Sequence, residues 1–183
     1  MKQYRLYIVL LCFVALASMK AQSPEGYTDF KKTIYTSTLE AGNYTTLISA
    51  LKATDLDLTL DGDASFTIFA PSDRAFRKLS SEKIKHLLRP ENKKELREMV
   101  TYFMVAGSLS ASKILNALVR GNGIATFTSV QGKKIKASIE GIDIVLTDGQ
   151  GNKAKITVAD GDQCNGIIHT IDSVILPKPL SIY

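Results

Sequence analysis

The chain is poor in the residues from which most metal sites and many catalytic sites are built. Its 183 residues include two cysteines, two histidines and no tryptophan. With His86 and His169 as its histidines and one cysteine outside the N-terminal apolar segment, a zinc site would need carboxylates to supply ligands. No Gly-x-Ser-x-Gly sequence marks a nucleophilic serine. We therefore predict a protein that is not an enzyme, with no catalytic residue, no metal and no cofactor.

An aspartate-rich stretch at residues 55–63 lacks a calcium-binding pattern. An EF-hand loop needs an acidic ligand at its twelfth position, and such a loop placed on this stretch puts Ile68 there. Leu56, Leu58 and Leu60 alternate with polar residues in the same stretch. We therefore expect ordinary packing on one side of the stretch and a solvated face on the other.

The N-terminus begins with a basic segment that is followed by an apolar one. Lys2 and Arg5 precede an apolar run at residues 8–17, which is shorter than the roughly 20 residues that a membrane-spanning helix needs. This order is typical of a secretory signal peptide. We predict that residues 1–21 direct export and that the mature chain has no transmembrane segment. It would be secreted, periplasmic or attached to the cell surface.

Composition changes on either side of the predicted globular region. Ala21 ends a plausible cleavage site, although residues 15–17 also have the small-x-small pattern of such sites. A polar leader at 22–30 follows, one domain spans 31–179, and 180–183 form a short tail. We expect a single domain because the length of the chain fits one.

Removal of the signal peptide changes the charge balance. The full chain carries 23 basic and 18 acidic residues, and three of the basic ones lie in the predicted signal peptide. The net charge would fall from +5 to about +2, so we expect no nucleic-acid partner. Lys93-Lys94 and Lys133-Lys134 are then interpreted as solvated faces. Cys164 would be the lone cysteine, and we expect a small, half-buried side chain, with a reactive thiol as the alternative.

Helical periodicity dominates the first half of the domain and strand periodicity dominates the second. An early strand is predicted at residues 66–70, and Pro71 ends it because proline cannot donate to a central ladder. After Arg120, glycines separate five strand-like runs. These predicted strands lie at 124–130, 133–139, 143–147, 153–159 and 167–176. Helices first and strands last indicate an α+β fold.

Polar residues that can cap a helix stand before most of the predicted helices. The candidate caps are Asn43, Ser72 or Asp73, Ser80 or Ser81, Asn92 and Ser110. Asn92 stands three residues before Glu95, which is the spacing of a capping box. The helix that it would open carries an apolar stripe at helical spacing, formed by Leu96, Met99, Val100 and Phe103. We expect Gly107 to end this helix.

Two segments resemble the signature sequences of one family. Residues 66–76 read Phe-Thr-Ile-Phe-Ala-Pro-Ser-Asp-Arg-Ala-Phe, and residues 165–177 read Asn-Gly-Ile-Ile-His-Thr-Ile-Asp-Ser-Val-Ile-Leu-Pro. In order and spacing they are similar to the segments that identify the fasciclin-like domain, and the resemblance covers most of residues 28–177. It implies a fasciclin-like wedge of twisted β-strands with helices packed around it.

The resemblance also implies a function. Fasciclin-like domains are secreted or cell-surface interaction modules, so we expect adhesion or matrix-type contacts by a monomer with a cell-surface or matrix protein or a glycan. Some members bind hydrophobic ligands. A lipid- or pigment-binding protein of the cell envelope is therefore the alternative. The sequence assigns binding residues to neither function.

The second signature segment predicts structure rather than chemistry. Its strand is apolar on both faces, which is typical of a central, buried strand. We expect His169 to be a structural histidine with both ring nitrogens hydrogen-bonded. We expect Asp172, at the end of the same segment, to bond nearby backbone.

The chain departs from the family at two places. Many members carry Tyr-His in the helix between the signatures, which is linked to integrin adhesion in some animal proteins, and an Asp-Ile pair before the Asn-Gly turn. Here the pairs are Tyr102-Phe103 and Asp160-Gly161. We therefore expect an adhesive contact to use a different surface.

Overall fold

Helices occupy most of the first half of the described chain, and strands occupy most of the second half. The structure is a computed structural model that describes residues 32–177. Its α-helices are α1 (Ile34–Glu40), α2 (Thr45–Ala53), α3 (Asp57–Asp61), α4 (Asp73–Phe76), α5 (Ser81–Leu87), α6 (Lys93–Tyr102) and α7 (Ala111–Arg120). Its strands are β1 (Phe66–Pro71), β2 (Met104–Ala106), β3 (Ile124–Thr128), β4 (Lys134–Glu140), β5 (Asp143–Thr147), β6 (Lys153–Gln163) and β7 (Gly166–Ile171). The predicted α+β class is confirmed.

The strands of the described chain form one sheet in the order β2-β1-β7-β6-β5-β4-β3. Neighbouring strands are antiparallel, except that β1 and β7 are parallel. A bridge between Val105 of β2 and Ser129, just after β3, joins the two ends of this order. The sheet therefore curls almost into a barrel, which agrees with the twisted wedge that the family resemblance implies.

β7 is a central strand, as predicted, because β1 and β6 pair with its two edges. The parallel register with β1 places Phe69 opposite His169. The pairing with β6 shifts between Ile156 and Val158 and again between Val158 and Gly161. Such irregularities bend a strand locally, and they allow the long β6 to follow the curvature of the sheet.

Hydroxyl side chains cap four of the helices in the described chain. Each accepts a hydrogen bond from the backbone N–H three residues later, which pairs a donor that the helix itself leaves free. The capping residues are Thr33, Ser72, Ser80 and Ser110. Where the sequence left two candidates, the structure selects Ser72 rather than Asp73 and Ser80 rather than Ser81.

Two of the predicted caps are wrong. Asn43 is exposed. The N-cap residue of α2 is Tyr44, and its side chain makes no capping hydrogen bond. Asn92 precedes α6 but also makes no capping bond. Its side-chain amide donates instead to the carbonyl oxygen of His86 at 2.6 Å. The capping box predicted between Asn92 and Glu95 therefore lacks the hydrogen bond that the Asn92 side chain would accept from the helix backbone.

The apolar stripe of α6 lies in the core, as predicted, and each member is at most 2% exposed: Leu96, Met99, Val100 and Phe103. The helix ends at Tyr102 rather than at Gly107, and Met104–Ala106 form β2. The sequence did not reveal this strand because its three residues continue an apolar run. Its partner is the distant segment Phe66–Ile68, so no local pattern marks the pairing.

The bounds of the last two strands also differ from the predicted ones. β6 continues beyond residue 159 to Gln163. β7 ends at Ile171, and the apolar residues at 174–176 are buried in an irregular segment that follows it. Apolar content predicted the burial of these residues correctly, but it did not show where the hydrogen-bonded ladder stops.

The aspartate-rich stretch is a short helix, α3, rather than an alternating segment. Leu56 and Leu60 are buried, whereas Leu58 is 76% exposed. Residues four apart share a face of a helix, which explains why these two leucines pack together while the one between them does not.

Several predictions concern segments outside the described residues. These are the signal peptide at 1–21, the polar leader at 22–30 and the tail at 180–183. Within residues 32–177, no helix has both the length and the apolar character needed to cross a membrane.

Candidate functional site

His169 lies in the middle of the sheet with no exposed surface. Its Nδ1 accepts a hydrogen bond from the backbone N–H of Asp160 at 3.2 Å, and its Nε2 lies 2.8 Å from the carbonyl oxygen of Leu109. Its ring stacks on Phe69 with the ring centroids 5.6 Å apart. Both ring nitrogens are therefore hydrogen-bonded, as the sequence predicted.

The two partners of His169 determine its tautomer. A backbone N–H can only donate and a carbonyl oxygen can only accept, so Nδ1 is unprotonated and Nε2 carries the hydrogen. Burial lowers the pKa of His169 below its usual value and outweighs the Leu109 carbonyl and the charge of Asp160, which favour protonation. The neutral ring thus has no nitrogen left for a substrate or a metal.

Asp160-Gly161, one of the two pairs that differ from the family, holds strands and a helix together. Asp160 has φ +57°, and its Oδ1 accepts a hydrogen bond from the N–H of Ala111, the first residue of α7, at 2.7 Å. Its own N–H binds His169. A Cβ added to Gly161 would lie 3.1 Å from the carbonyl oxygen of Ile168. The pair therefore has a packing role in this chain.

Asn165 joins three distant parts of the chain and is almost fully buried. Its Oδ1 accepts a hydrogen bond from the N–H of Ile34 at 2.8 Å. Its Nδ2 donates to the carbonyl oxygens of Leu60 and Gly62 at 2.7 and 2.8 Å. This signature residue thus fixes the first helix and the end of α3 to the start of β7.

Asp73, in the first signature segment, caps a helix other than the one it begins. Its carboxylate accepts hydrogen bonds from the backbone N–H groups of Thr45 and Thr46 at 3.1 and 2.9 Å. It therefore supplies the cap that α2 does not receive from Asn43. Partial burial acts to raise the pKa of Asp73, but the hydrogen bonds from Thr46 and Thr45 outweigh it and lower the pKa.

Asp172, in the second signature segment, bonds nearby backbone as predicted. Its Oδ1 accepts from the N–H of Lys155 at 2.8 Å, and its Oδ2 accepts from the Lys78 ammonium at 3.0 Å. Partial burial acts to raise the pKa of Asp172, but the bonds from Lys155, Lys78 and Ser173 lower it. The carboxylate is therefore a charged structural acceptor.

The other pair that differs from the family, Tyr102-Phe103, is completely buried. The Tyr102 hydroxyl donates to the carbonyl oxygen of Lys134 at 2.9 Å. Burial, together with the nearby charge of Asp148, raises the pKa of Tyr102 to about 12. Neither side chain of the pair can reach a partner at the surface.

Cys164 is exposed, so the prediction of a half-buried side chain is wrong. Its backbone N–H donates to the carbonyl oxygen of Lys32 at 3.0 Å, which holds the residue in the turn between β6 and β7. The turn directs its side chain toward solvent. The sequence could not show this because a cysteine beside an Asn-Gly turn can point either toward the core or toward solvent.

An apolar cavity between the helices is small. It holds about 10 Å³ and is lined by residues that include Ala50, Phe76, Leu87, Leu96 and Met99. Ligand sites for drug-sized molecules usually hold about 300–1,000 Å³. This cavity therefore gives no support to the lipid- or pigment-binding alternative.

Two clefts, lined mainly by charged and polar residues, lie side by side on the surface. The first, the Lys83 cleft, holds about 450 Å³, and its lining includes Lys78, Lys83 and Lys153. The second, the Arg74 cleft, holds about 310 Å³, and its lining includes Arg74, Lys78 and Lys155. Lys78 lines both clefts, so they form one continuous surface.

The alternation of residues in β6 is a local sequence signal for this surface. In β6, Lys153 and Lys155 alternate with the buried Ala154 and Ile156, which places both lysines on the outer face of the sheet. The helical and loop residues that complete the clefts come from 72–83, from 172–176 and from Gln150 and Asn152 in the turn before β6. The parallel pairing of β1 with β7 brings the first two of these segments together.

Three comparisons with known proteins agree. A sequence model described as the Fasciclin domain matches residues 42–177. The protein sll1483 of Synechocystis sp. is 36% identical over 172 residues, which is 90% of this chain and 87% of that protein. Transforming growth factor-beta-induced protein ig-h3 of Sus scrofa is 31% identical over 134 residues, which is 73% of this chain and 18% of that longer protein.

A solved structure has the same fold. It is a FAS1 domain pair from the insect cell adhesion molecule fasciclin I, and it matches with a TM-score of 0.70 at 16% sequence identity. The match covers 79% of this chain and 51% of that one. At this identity the likeness concerns the fold alone.

Proposed function

Because the chain belongs to the fasciclin domain family, we propose that it is an exported, non-enzymatic interaction module of the extracellular space, periplasm or cell surface. It makes adhesion or matrix-type contacts, as a monomer, through surfaces that bind protein or glycan. Membership of this family, which the chain shares with ig-h3 of Sus scrofa, favours this class of function.

One observation carries the proposal: three polar side chains of the two signature segments, His169, Asn165 and Asp73, make hydrogen bonds inside the fold. His169 binds two backbone groups, Asn165 binds three, and Asp73 caps α2. A catalytic group must reach the reacting atoms of a substrate. These groups face other parts of the same chain, so the motif builds the domain and leaves the outer surface for contacts.

The test is retention of the purified chain on surface material from the producing organism. The folded chain is applied to intact cells and to extracted matrix, and bound protein is measured against concentration. We expect saturable retention that an excess of soluble chain displaces. The same chain after heat unfolding provides the control, because its sequence is identical and its surface is not formed.

Retention no greater than that of the unfolded control would contradict the proposal. Reproducible turnover of a hydrolase or transferase substrate that disappeared in a folded His169→Ala variant would also contradict it, because the histidine would then act in catalysis. For the lipid- or pigment-binding alternative, a panel of such ligands at saturating concentration should leave the unfolding temperature unchanged.

A further inference from the structure

Positive charge is concentrated on the joined clefts. Five of the chain's 23 basic residues line them, whereas one of its 18 acidic residues, Asp172, does so. The five basic residues are Arg74, Lys78, Lys83, Lys153 and Lys155. Charge of one sign around a concave surface attracts ligands of the opposite charge more strongly than the same charge spread over a convex one.

Some of this charge is paired and some is available. Lys78 pairs with Asp172, Lys153 with Glu140 and Lys155 with Asp143, all with partly exposed side chains. Such surface pairs contribute little to stability because water and salt screen them, so an anionic ligand can compete for them. Arg74 and Lys83 have no ion-pair partner among residues 32–177.

The outer face of the sheet extends the positive surface beyond the clefts. The register places Lys136 of β4, Thr147 of β5 and Lys153 of β6 in one row across three strands. Neighbouring strands are about 4.8 Å apart, so the row sets Lys136 about 10 Å from Lys153. A line of cations from Arg74 to Lys136 therefore matches a long ligand with repeated negative charges.

Nucleic acid and membranes fit this surface less well. Neither cleft is lined by an aromatic side chain, although stacking of bases on aromatic rings provides much of the affinity for single strands. The large exposed apolar residues of the described chain, such as Val119 and Ile142, line neither cleft. A membrane-binding surface would need apolar side chains to enter the interface.

The neutral lining of the clefts suits sugar hydroxyl groups. Gln150, Asn152 and Ser173 line the Lys83 cleft, and Ser72 and Thr157 line the Arg74 cleft. Amides and hydroxyls can both donate and accept hydrogen bonds. Cations beside such groups can bind the carboxylate or sulfate groups of an acidic sugar chain while the amides and hydroxyls bind its hydroxyls.

We propose that the joined clefts, together with Lys136, bind a linear acidic polysaccharide that carries carboxylate or sulfate groups. This inference rests on the proposed function and names the partner class for one surface of the module. Arg74 and Lys83 are the residues that determine affinity most directly, because no ion-pair partner among residues 32–177 competes for them. Binding is electrostatic in origin, so it weakens as salt is added.

The experiment measures equilibrium binding of the full chain to alginate, which carries carboxylates, and to heparin, which carries sulfates. Arg74→Gln/Lys83→Gln removes two charges from the clefts. Lys52→Gln/Lys94→Gln is the matched control, because both lysines are exposed, neither is ion-paired among residues 32–177 and neither lines a cleft. Unfolding curves of both variants verify that they fold.

We expect the cleft variant to bind at least about fivefold more weakly than the wild type, with a shallower salt dependence. The control variant should stay within about twofold of the wild type, since its charges lie away from the ligand. Neutral dextran should not bind. Alginate and heparin, compared at equal concentrations of anionic groups, distinguish a carboxylate from a sulfate preference.

Three results would overturn the inference. They are equal losses in the cleft and control variants, equal binding of dextran and alginate, and tighter binding of single-stranded DNA or phosphatidylserine vesicles than of either polysaccharide. Retention on surface material that persists in the cleft variant would reject the polysaccharide site and leave the interaction module standing. If the wild type itself is not retained on surface material, the proposed function as an interaction module is rejected.

Discussion

At the scale of single residues, buried side chains of the signature segments connect separate parts of the fold through hydrogen bonds. His169 connects β7 to the bulge of β6 and to the segment before α7 through Asp160 and Leu109. Asn165 does the same for α1 and α3. Each bond joins one of these side chains to a backbone group in another element or segment, and a buried backbone group that loses its partner costs free energy. Identity at these positions is therefore required for stability.

His169→Ala should lower the free energy of unfolding by about 1–3 kcal/mol, because it leaves the Asp160 N–H and the Leu109 carbonyl without partners in a buried site. Denaturant unfolding of the two proteins measures the difference. An unchanged midpoint would show that these bonds contribute nothing to the fold.

Acid should destabilise the protein through the same histidine. In the unfolded chain its pKa is near 6.5, and in the folded chain the pKa is lower. Unfolded molecules therefore bind a proton first, so the stability contributed by His169 is present above about pH 6.5 and is lost as pH falls toward the folded pKa. Unfolding curves at about pH 7.5 and about pH 5 measure this slope.

The variant His169→Ala is the control for that slope. His86 and the carboxylates remain in both proteins, and the lowered pKa values of Asp73 and Asp172 place their titration below 3.8. The variant should therefore lose less stability between the two pH values than the wild type does. Equal losses would show that His169 is not the titrating group.

Asp73→Ala should lower the free energy of unfolding by about 1–2 kcal/mol, because α2 loses the carboxylate that caps its first two N–H groups. Asn43→Ala should change it by less than about 0.5 kcal/mol, since that exposed side chain caps nothing. Thermal or denaturant melts of the pair compare the two positions directly. A larger loss of unfolding free energy in Asn43→Ala than in Asp73→Ala would show that Asn43 caps α2, as the sequence predicted.

At the scale of elements, the sequence predicted what local patterns encode. The β1 strand, the five later strands and the caps at Ser80 and Ser110 follow from alternation, glycine spacing and hydroxyl positions. β2 and the cap of α2 did not follow, because each depends on a partner far along the chain. The parallel pairing of β1 with β7, which also assembles the clefts, is nonlocal for the same reason.

The turn between β6 and β7 gives a test at this scale. Gly166 has φ +144°, and a Cβ there would meet the Phe66 carbonyl oxygen at 1.8 Å. Gly166→Ala should therefore cost at least about 3 kcal/mol, because the parallel β1–β7 pair must separate at its start. Gly149→Ala, where an added Cβ meets nothing within 4 Å, should cost less than about 1 kcal/mol.

Denaturant melts of the two glycine variants provide the comparison. Equal midpoints would mean that the close approach of Gly166 to β1 does not constrain the fold. Circular dichroism below the transition would show whether Gly166→Ala folds at all, and failure to fold while Gly149→Ala folds agrees with the expected strain.

At the scale of the whole molecule, a curled sheet buries His169 and Asn165 of the signature segments and leaves its outer face and the clefts exposed. The buried side chains stabilise the fold, whereas the cations around the clefts, which include Arg74, are proposed to bind the partner. The family and fold class could be predicted from the two motifs. The cleft surface could not, because its five cations come from two segments far apart in sequence, 74–83 and 153–155, which only the tertiary fold brings together.

The most direct test of this separation is retention of folded His169→Ala on surface material, measured at a temperature where unfolding curves show it to be native. We predict the same saturation curve as for the wild type, because the histidine stabilises the domain and contacts no partner. Loss of retention by the fully folded variant would contradict the account and place His169 in the binding site.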